Sequence, residues 1–149
     1  MDFQFKSISI EKDHVGVVFC DSKNRLIGHG KKLDQISKKA ISSVINNDLS
    51  FQKRKSKSFD YAILHAPNNL KLAKLYVFKL SEFSKYSLRD YQILGGHLFS
   101  LISFYQADKV GLYLDGIVSK GISAVNIVSE IILGSLLASY KFDKYKTVN

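Results

Sequence analysis

The chain has no Trp and only one Pro, one Cys and one Met among 149 residues. A single thiol excludes a disulfide framework and any Cys-based zinc module. Cys20 lies in the apolar run Val15-Gly-Val-Val-Phe-Cys20 and reads as a core thiol. So little Pro excludes collagen-like and proline-rich architectures. The start, Met1-Asp-Phe-Gln-Phe-Lys6, lacks the basic-then-apolar pattern of a secretion signal, so a cytoplasmic, reducing setting is expected. There is no internal repeat, no His-Glu-x-x-His and no Gly-x-Ser-x-Gly. None of the four histidines, His14, His29, His65 and His97, pairs with another ligand at metal-binding spacing on one element. His65 is expected in a buried strand, His97 on a helix and the other two in turns.

Apolar residues make up 46% and aromatics 12%, which suits a globular chain, and the length suits one domain. The net charge of +9 admits a polyanion partner. Of the 22 basic residues, however, only Arg25, Arg54 and Arg89 carry the guanidinium fork that base and phosphate recognition favours. A solvated Lys surface, or an A/T-rich genome, accounts for the rest. The charge is densest over residues 31–57. There Lys31, Lys32, Lys38, Lys39, Lys53, Arg54, Lys55 and Lys57 face only Asp34 and Asp48. Lys53, Arg54, Lys55 and Lys57 read as an exposed hairpin tip. They are the candidate nucleic-acid contact, and such binding would be weak and phosphate-directed, since no aromatic is interleaved for stacking.

The apolar pattern alternates between short runs and helical periods, as an α/β domain requires. Phe3–Ile10 reads as a strand whose apolar residues change parity midway. Val15–Cys20 reads as a central strand buried on both faces. Leu33, Ile36, Ala40, Ile41, Val44 and Ile45 form one helical stripe, ended by Asn46-Asn47-Asp48. Two β-like pieces, Leu49–Phe51 and Tyr61–His65, flank the basic tip. Leu75–Leu80 is the next strand. Ser87 with Asp90 resembles a capping box opening a helix to about Tyr105, and Val110–Leu114 follows as a strand. The last helix is expected over about Ser123–Ser139. Glu130 and Asn126 argue against its spanning a membrane, since a mid-bilayer carboxylate costs about 2.5–3.5 kcal/mol. Burial on nearly all sides is expected instead, including Ile131, Ile132, Leu136 and Leu137, with Gly134 and Ala138 allowing another element close. Gly28-His29-Gly30 begins a phosphate-loop pattern, but Leu33 stands at its third glycine position. Gly95-Gly96 falls inside a helix.

Read in order, the segments resemble, over essentially the whole chain, the amino-terminal domain of the leucine (cytosol) aminopeptidase family, including bacterial aminopeptidase A, most closely in three stretches. They are the Leu33-Asp34 helix start with Ile41–Leu49 leading into Phe51, the turn Ala62-Ile-Leu-His-Ala-Pro67, and the tail Leu136-Leu-Ala-Ser-Tyr-Lys-Phe-Asp-Lys-Tyr-Lys-Thr147. The tail is the most specific. The chain departs from the family in continuing Phe78-Lys-Leu-Ser81 where a Gly-Leu-Gly-like turn is usual, and at the tip 53–57, where a Gly-Lys pair is usual. The resemblance implies a macro-domain-like, three-layer α/β/α sandwich with a mixed central sheet. It implies a single domain over 1–149, with a linker to a catalytic domain beginning near 140–149. It further implies a hexameric, cytoplasmic metallo-aminopeptidase using two divalent ions, Mn or Zn, and in some bacterial members DNA binding. The family's Asn-Thr-Asp-Ala-Glu-Gly-Arg metal segment is absent from these residues, so no catalytic or metal-binding residue is assigned here. The 149 residues alone are expected to be inactive and to act in oligomer assembly. An ADP-ribose-binding role rests on fold analogy alone.

Overall fold

The computed structural model describes residues 14–47, 60–70, 72–104 and 109–146. The described residues fall into two compact units, one built on a sheet (within 14–83 and 109–117) and one on a helix pair (within 84–104 and 118–146). The expected strand Phe3–Ile10, the piece Leu49–Phe51 and the basic tip Lys53, Arg54, Lys55 and Lys57 lie outside the described residues.

The sheet unit contains β1 (His14–Cys20), α1 (His29–Ile36), α2 (Ala40–Asn47), β2 (Tyr61–His65), β3 (Leu72–Lys79) and β4 (Val110–Leu112). Strand order is β2-β3-β1-β4. β1 runs parallel to both β3 and β4, whereas β2 is antiparallel to β3, so the sheet is mixed. The α/β class and mixed sheet agree with the sequence expectation. Val17, Val18, Phe19 and Cys20 are all fully buried, which is why β1 reads as a continuous apolar run rather than an alternating one. On one face Val18, Cys20, Ala62, Leu64, Leu75 and Val77 join Leu33 of α1 and Ile41 and Ile45 of α2 in a single core.

One expectation fails at the helix of residues 33–45. The stripe is not continuous: α1 ends at Ile36 and α2 begins at Ala40. Between them Lys38 and Lys39 adopt left-handed φ values of 56° and 62°. Asp34 accounts for the break. Its carbonyl accepts the Lys39 N–H at 2.7 Å. Its carboxylate accepts the Ser42 N–H at 2.9 Å and the Ser42 hydroxyl, capping the first turn of α2. Leu33, Ile41 and Ile45 keep their place in the core while Ile36 is left 43% exposed. The two αL lysines cost about 1–2 kcal/mol each. Burying Ile41 and Ile45 offsets that, at about 1.5–3 kcal/mol per side chain.

His65, expected in a buried strand, is exposed at the end of β2, the outermost strand among the described residues, because inward-facing positions there alternate and fall to Ala62 and Leu64.

In the helical unit, α3 (Leu88–Phe104) opens with the expected capping box. The Ser87 N–H donates to Asp90 Oδ2 at 2.8 Å and the Asp90 N–H returns to Ser87 Oγ at 3.3 Å. α4 (Ala124–Lys146) packs along it at backbone contact. A Cβ on Gly134 would lie 1.9 Å from the Gln92 carbonyl oxygen, and one on Gly95 would lie 2.1 Å from that of Ile131. Ser135 Oγ donates across the crossing to the Gly95 carbonyl at 3.0 Å, and Gln92 Nε2 donates to Glu130 Oε2 at 2.6 Å. Glu130, the residue that argued against a membrane span, is thus a partner of α3. No helix among the described residues is long and apolar enough to cross a membrane.

Burial of α4 on nearly all sides is not found. Ile127 and Ile131 are buried and Ile132 is half-buried, but Leu136 and Leu137 are 43% and 50% exposed. The helix is apolar on two faces, and composition alone cannot say which of them α3 covers.

Candidate functional site

In a parallel sheet, ligands bind outside the carboxyl ends of the strands where the order reverses. Here that point is the end of β1, flanked by β3 and β4. β1 leaves the sheet through a tight turn. Asp21 Oδ1 accepts the Lys23 and Arg25 N–H groups at 2.9 Å each, and Arg25 Nε donates to Asp21 Oδ2 at 2.8 Å. Partial burial raises the Asp21 pKa, but the bonds from Arg25 and Lys23 outweigh it and hold the carboxyl below its usual range. The chain then returns through Leu26, paired with Cys20, to Gly28, the residue preceding α1.

Gly28 (φ 58°) meets the loop that follows β4. A Cβ there would lie 2.2 Å from the Asp115 carbonyl oxygen, and one on Gly116 (φ 82°) would lie 2.9 Å from Ile27 Cγ2. Both glycines are therefore required by backbone packing of one loop on the other. Gly30 lies in the first turn of α1, with Val18 Cβ 3.3 Å from where its own Cβ would stand. The Gly30 and Lys31 N–H groups are already bonded to the Ile27 and Gly28 carbonyls. A phosphate cradle needs free amides and an open approach. At Gly28 the approach is filled by Asp115, so the Gly-x-Gly here is a packing device.

His29 stacks on Tyr113, with ring centroids 5.0 Å apart and planes 2° from parallel. Burial pushes the Tyr113 phenol up, with nearby Asp115 adding to the shift. Cys20 is fully buried, and burial raises its thiol to about 12, opposed by Lys79 and reinforced by Asp21. Such a thiol is not a nucleophile at neutral pH. Among the described residues no three or more His, Cys, Asp or Glu side chains cluster in a way that could hold a metal ion. His29, His65 and His97 belong to three separate elements. Of the basic residues named in the sequence, Lys31, Lys32, Lys38 and Lys39 are all exposed on α1 and the α1–α2 break. The features sequence reasoning missed are the Gly28–Gly116 loop contact and the His29–Tyr113 stack. Gly116 was the available signal for the first.

Comparison with known proteins then decides the kinship. Residues 17–149 match the model of the cytosol aminopeptidase family, N-terminal domain. The chain belongs to that family. It is also 31% identical over 134 residues to a probable cytosol aminopeptidase from each of two strains of Rickettsia bellii. Those matches cover 88% of this chain but 26% of each relative, so the chain spans about a quarter of the length of the relatives it matches. The resemblance drawn from the tail and the Leu33-Asp34 helix start thus identified the family correctly.

Proposed function

We propose that this chain is the non-catalytic, amino-terminal domain, over residues 1–149, of a cytoplasmic two-metal leucyl aminopeptidase, and that it supports assembly of the enzyme into its oligomer, a hexamer by resemblance. One observation carries the reading: the match runs over the N-terminal domain of the family, while the relatives extend about four times as far. The peptide-cleaving chemistry belongs to that further portion. Two divalent ions, Mn or Zn, would there activate a water and stabilise the tetrahedral intermediate. The described residues here do not fit such a pair, for they bring no three ligating side chains together, and no catalytic step is assigned to them.

Sedimentation of the aminopeptidase polypeptide with and without residues 1–149 tests the role. A hexamer with the segment and smaller species without it is the expected pair of results. An unchanged hexamer in its absence would remove the assembly role.

A further inference from the structure

The crossing with α3 uses only one side of α4. Ile127, Ile131, Gly134 and Ser135 are buried. On the opposite side Val125, Leu133, Leu136, Leu137 and Tyr140 are 73%, 41%, 43%, 50% and 69% exposed. At about 100° per residue these five fall within about 120° of the circumference. They form a stripe that spans roughly 22 Å at 1.5 Å per residue, the apolar surface running unbroken over Leu133, Leu136, Leu137 and Tyr140 and separated from Val125 by exposed Asn126 and Ser129 on the same arc. No Lys or Arg occurs between Ala124 and Tyr140, and the sole carboxylate there, Glu130, is engaged by Gln92.

We infer that this stripe is the surface on which the remaining, catalytic portion of the aminopeptidase polypeptide docks. The inference rests on the accessory-domain reading above, and area and charge select this occupant over the others. Converting the transfer free energies of exposed aliphatic side chains to area, and allowing for Tyr140, gives about 300–400 Å² of apolar surface. A stable pair of separate chains buries about 800 Å² per partner, about 450 Å² of it apolar, so a second copy held by this stripe alone falls short. An interface between domains of one polypeptide needs about 300–750 Å² per side, about 170–430 Å² of it apolar, because the partner is already held at high local concentration. A lipid surface is disfavoured because an interfacial helix carries Lys or Arg along the length of its polar face, whereas the three lysines of α4, Lys141, Lys144 and Lys146, all fall in its last two turns, beyond the stripe. The occupant's own surface must be apolar and uncharged at its centre, since the stripe offers no partner for a buried charge.

The test is photo-crosslinking in the cells that make the protein, with p-benzoylphenylalanine replacing Leu136 and, separately, Tyr140. A control places it at exposed Lys32 of α1. An unchanged thermal midpoint certifies each variant's fold. Cross-linked peptides from the aminopeptidase portion beyond the N-terminal segment are expected from both stripe positions and not from Lys32. With V125S and Y140S added, adduct yield at position 136 should fall about tenfold, the loss expected for roughly 1.4 kcal/mol of docking. Adducts joining two copies of position 136, adducts to lipid, no adduct at all, or equal yield from Lys32 would each overturn the assignment. A hexamer that still depends on residues 1–149 despite such a result would sink this surface alone and leave the accessory role standing.

Discussion

Gly134→Ala perturbs the place where the helical unit is most tightly fitted. The added methyl would start 1.9 Å from the Gln92 carbonyl oxygen, and ordinary contact begins at 3.4 Å, so α3 and α4 must part locally by 1.5 Å. That shift stretches the 3.0 Å bond from Ser135 to the Gly95 carbonyl and the 2.6 Å bond from Gln92 to Glu130. Overpacking of this kind costs about 1–3 kcal/mol or more. Ala regains about 1 kcal/mol of helix propensity. The lost inter-helix bonds keep the balance unfavourable, for a net destabilisation of about 1–3 kcal/mol. Gly95→Ala should behave the same way, its methyl starting 2.1 Å from the Ile131 carbonyl oxygen. Gly96→Ala is the internal control, one residue away on the same helix. Its nearest neighbours stand at 3.8 and 4.0 Å, so only the propensity gain remains. It should stabilise by up to about 1 kcal/mol. Thermal unfolding followed by circular dichroism reads these as shifts of about 2–4 °C per kcal/mol for a chain of this size. Gly134→Ala unfolding at or above the parent midpoint, or Gly96→Ala proving the worst of the three, would refute the backbone-contact crossing.

Four further outcomes follow from the same geometry. Lys39→Gly should raise stability by about 1 kcal/mol, because glycine holds φ 62° without strain, and an equilibrium urea midpoint no higher than the parent's would contradict that. Ile131→Asp should lower the thermal midpoint sharply while Leu137→Asp leaves it nearly unchanged, since one is 1% and the other 50% exposed; equal losses would show the faces of α4 to be misassigned. Native Cys20 should resist Ellman's reagent at pH 8 and react only on unfolding, and rapid native labelling would contradict its burial. Asp21 is held below its usual pKa in the fold, so its contribution is present above the unfolded value, near 4, and disappears as pH falls through the lower folded value. Asp21→Asn should flatten the acid limb of a stability–pH profile between pH 5 and 2, and an identical limb would remove the Asp21–Arg25 turn from the account.

Much of the fold was legible because one local signal sufficed for each element. Val15–Cys20 is apolar at both parities, which only a strand covered on two sides tolerates, and Ser87 with Asp90 marks the start of α3. Gly134 and Ala138 announced a close approach, which the Gln92 carbonyl provides. The break at Lys38–Lys39 was illegible. Apolar spacing from Leu33 to Ile45 runs through it unbroken, and lysine carries no preference for positive φ. Its cause is a side-chain cap from Asp34 to Ser42, eight residues apart, a separation no local rule examines. The two-faced character of α4 was hidden for a related reason: an apolar helix states that it must be covered, but not by what. Of the functional reading, only the kinship was visible. The Gly28 and Gly116 loops come together through the sheet, and His29 finds Tyr113 across 84 positions of sequence.

The central claim is that the chemistry of this family lies outside these residues, and one assay addresses it directly: release of p-nitroaniline from leucine p-nitroanilide by the purified 149-residue chain, with Mn²⁺ or Zn²⁺ supplied. The account predicts no release above the metal-only blank, at any protein concentration. Release that depends on the metal, scales with the chain and is lost on its heat denaturation would contradict it.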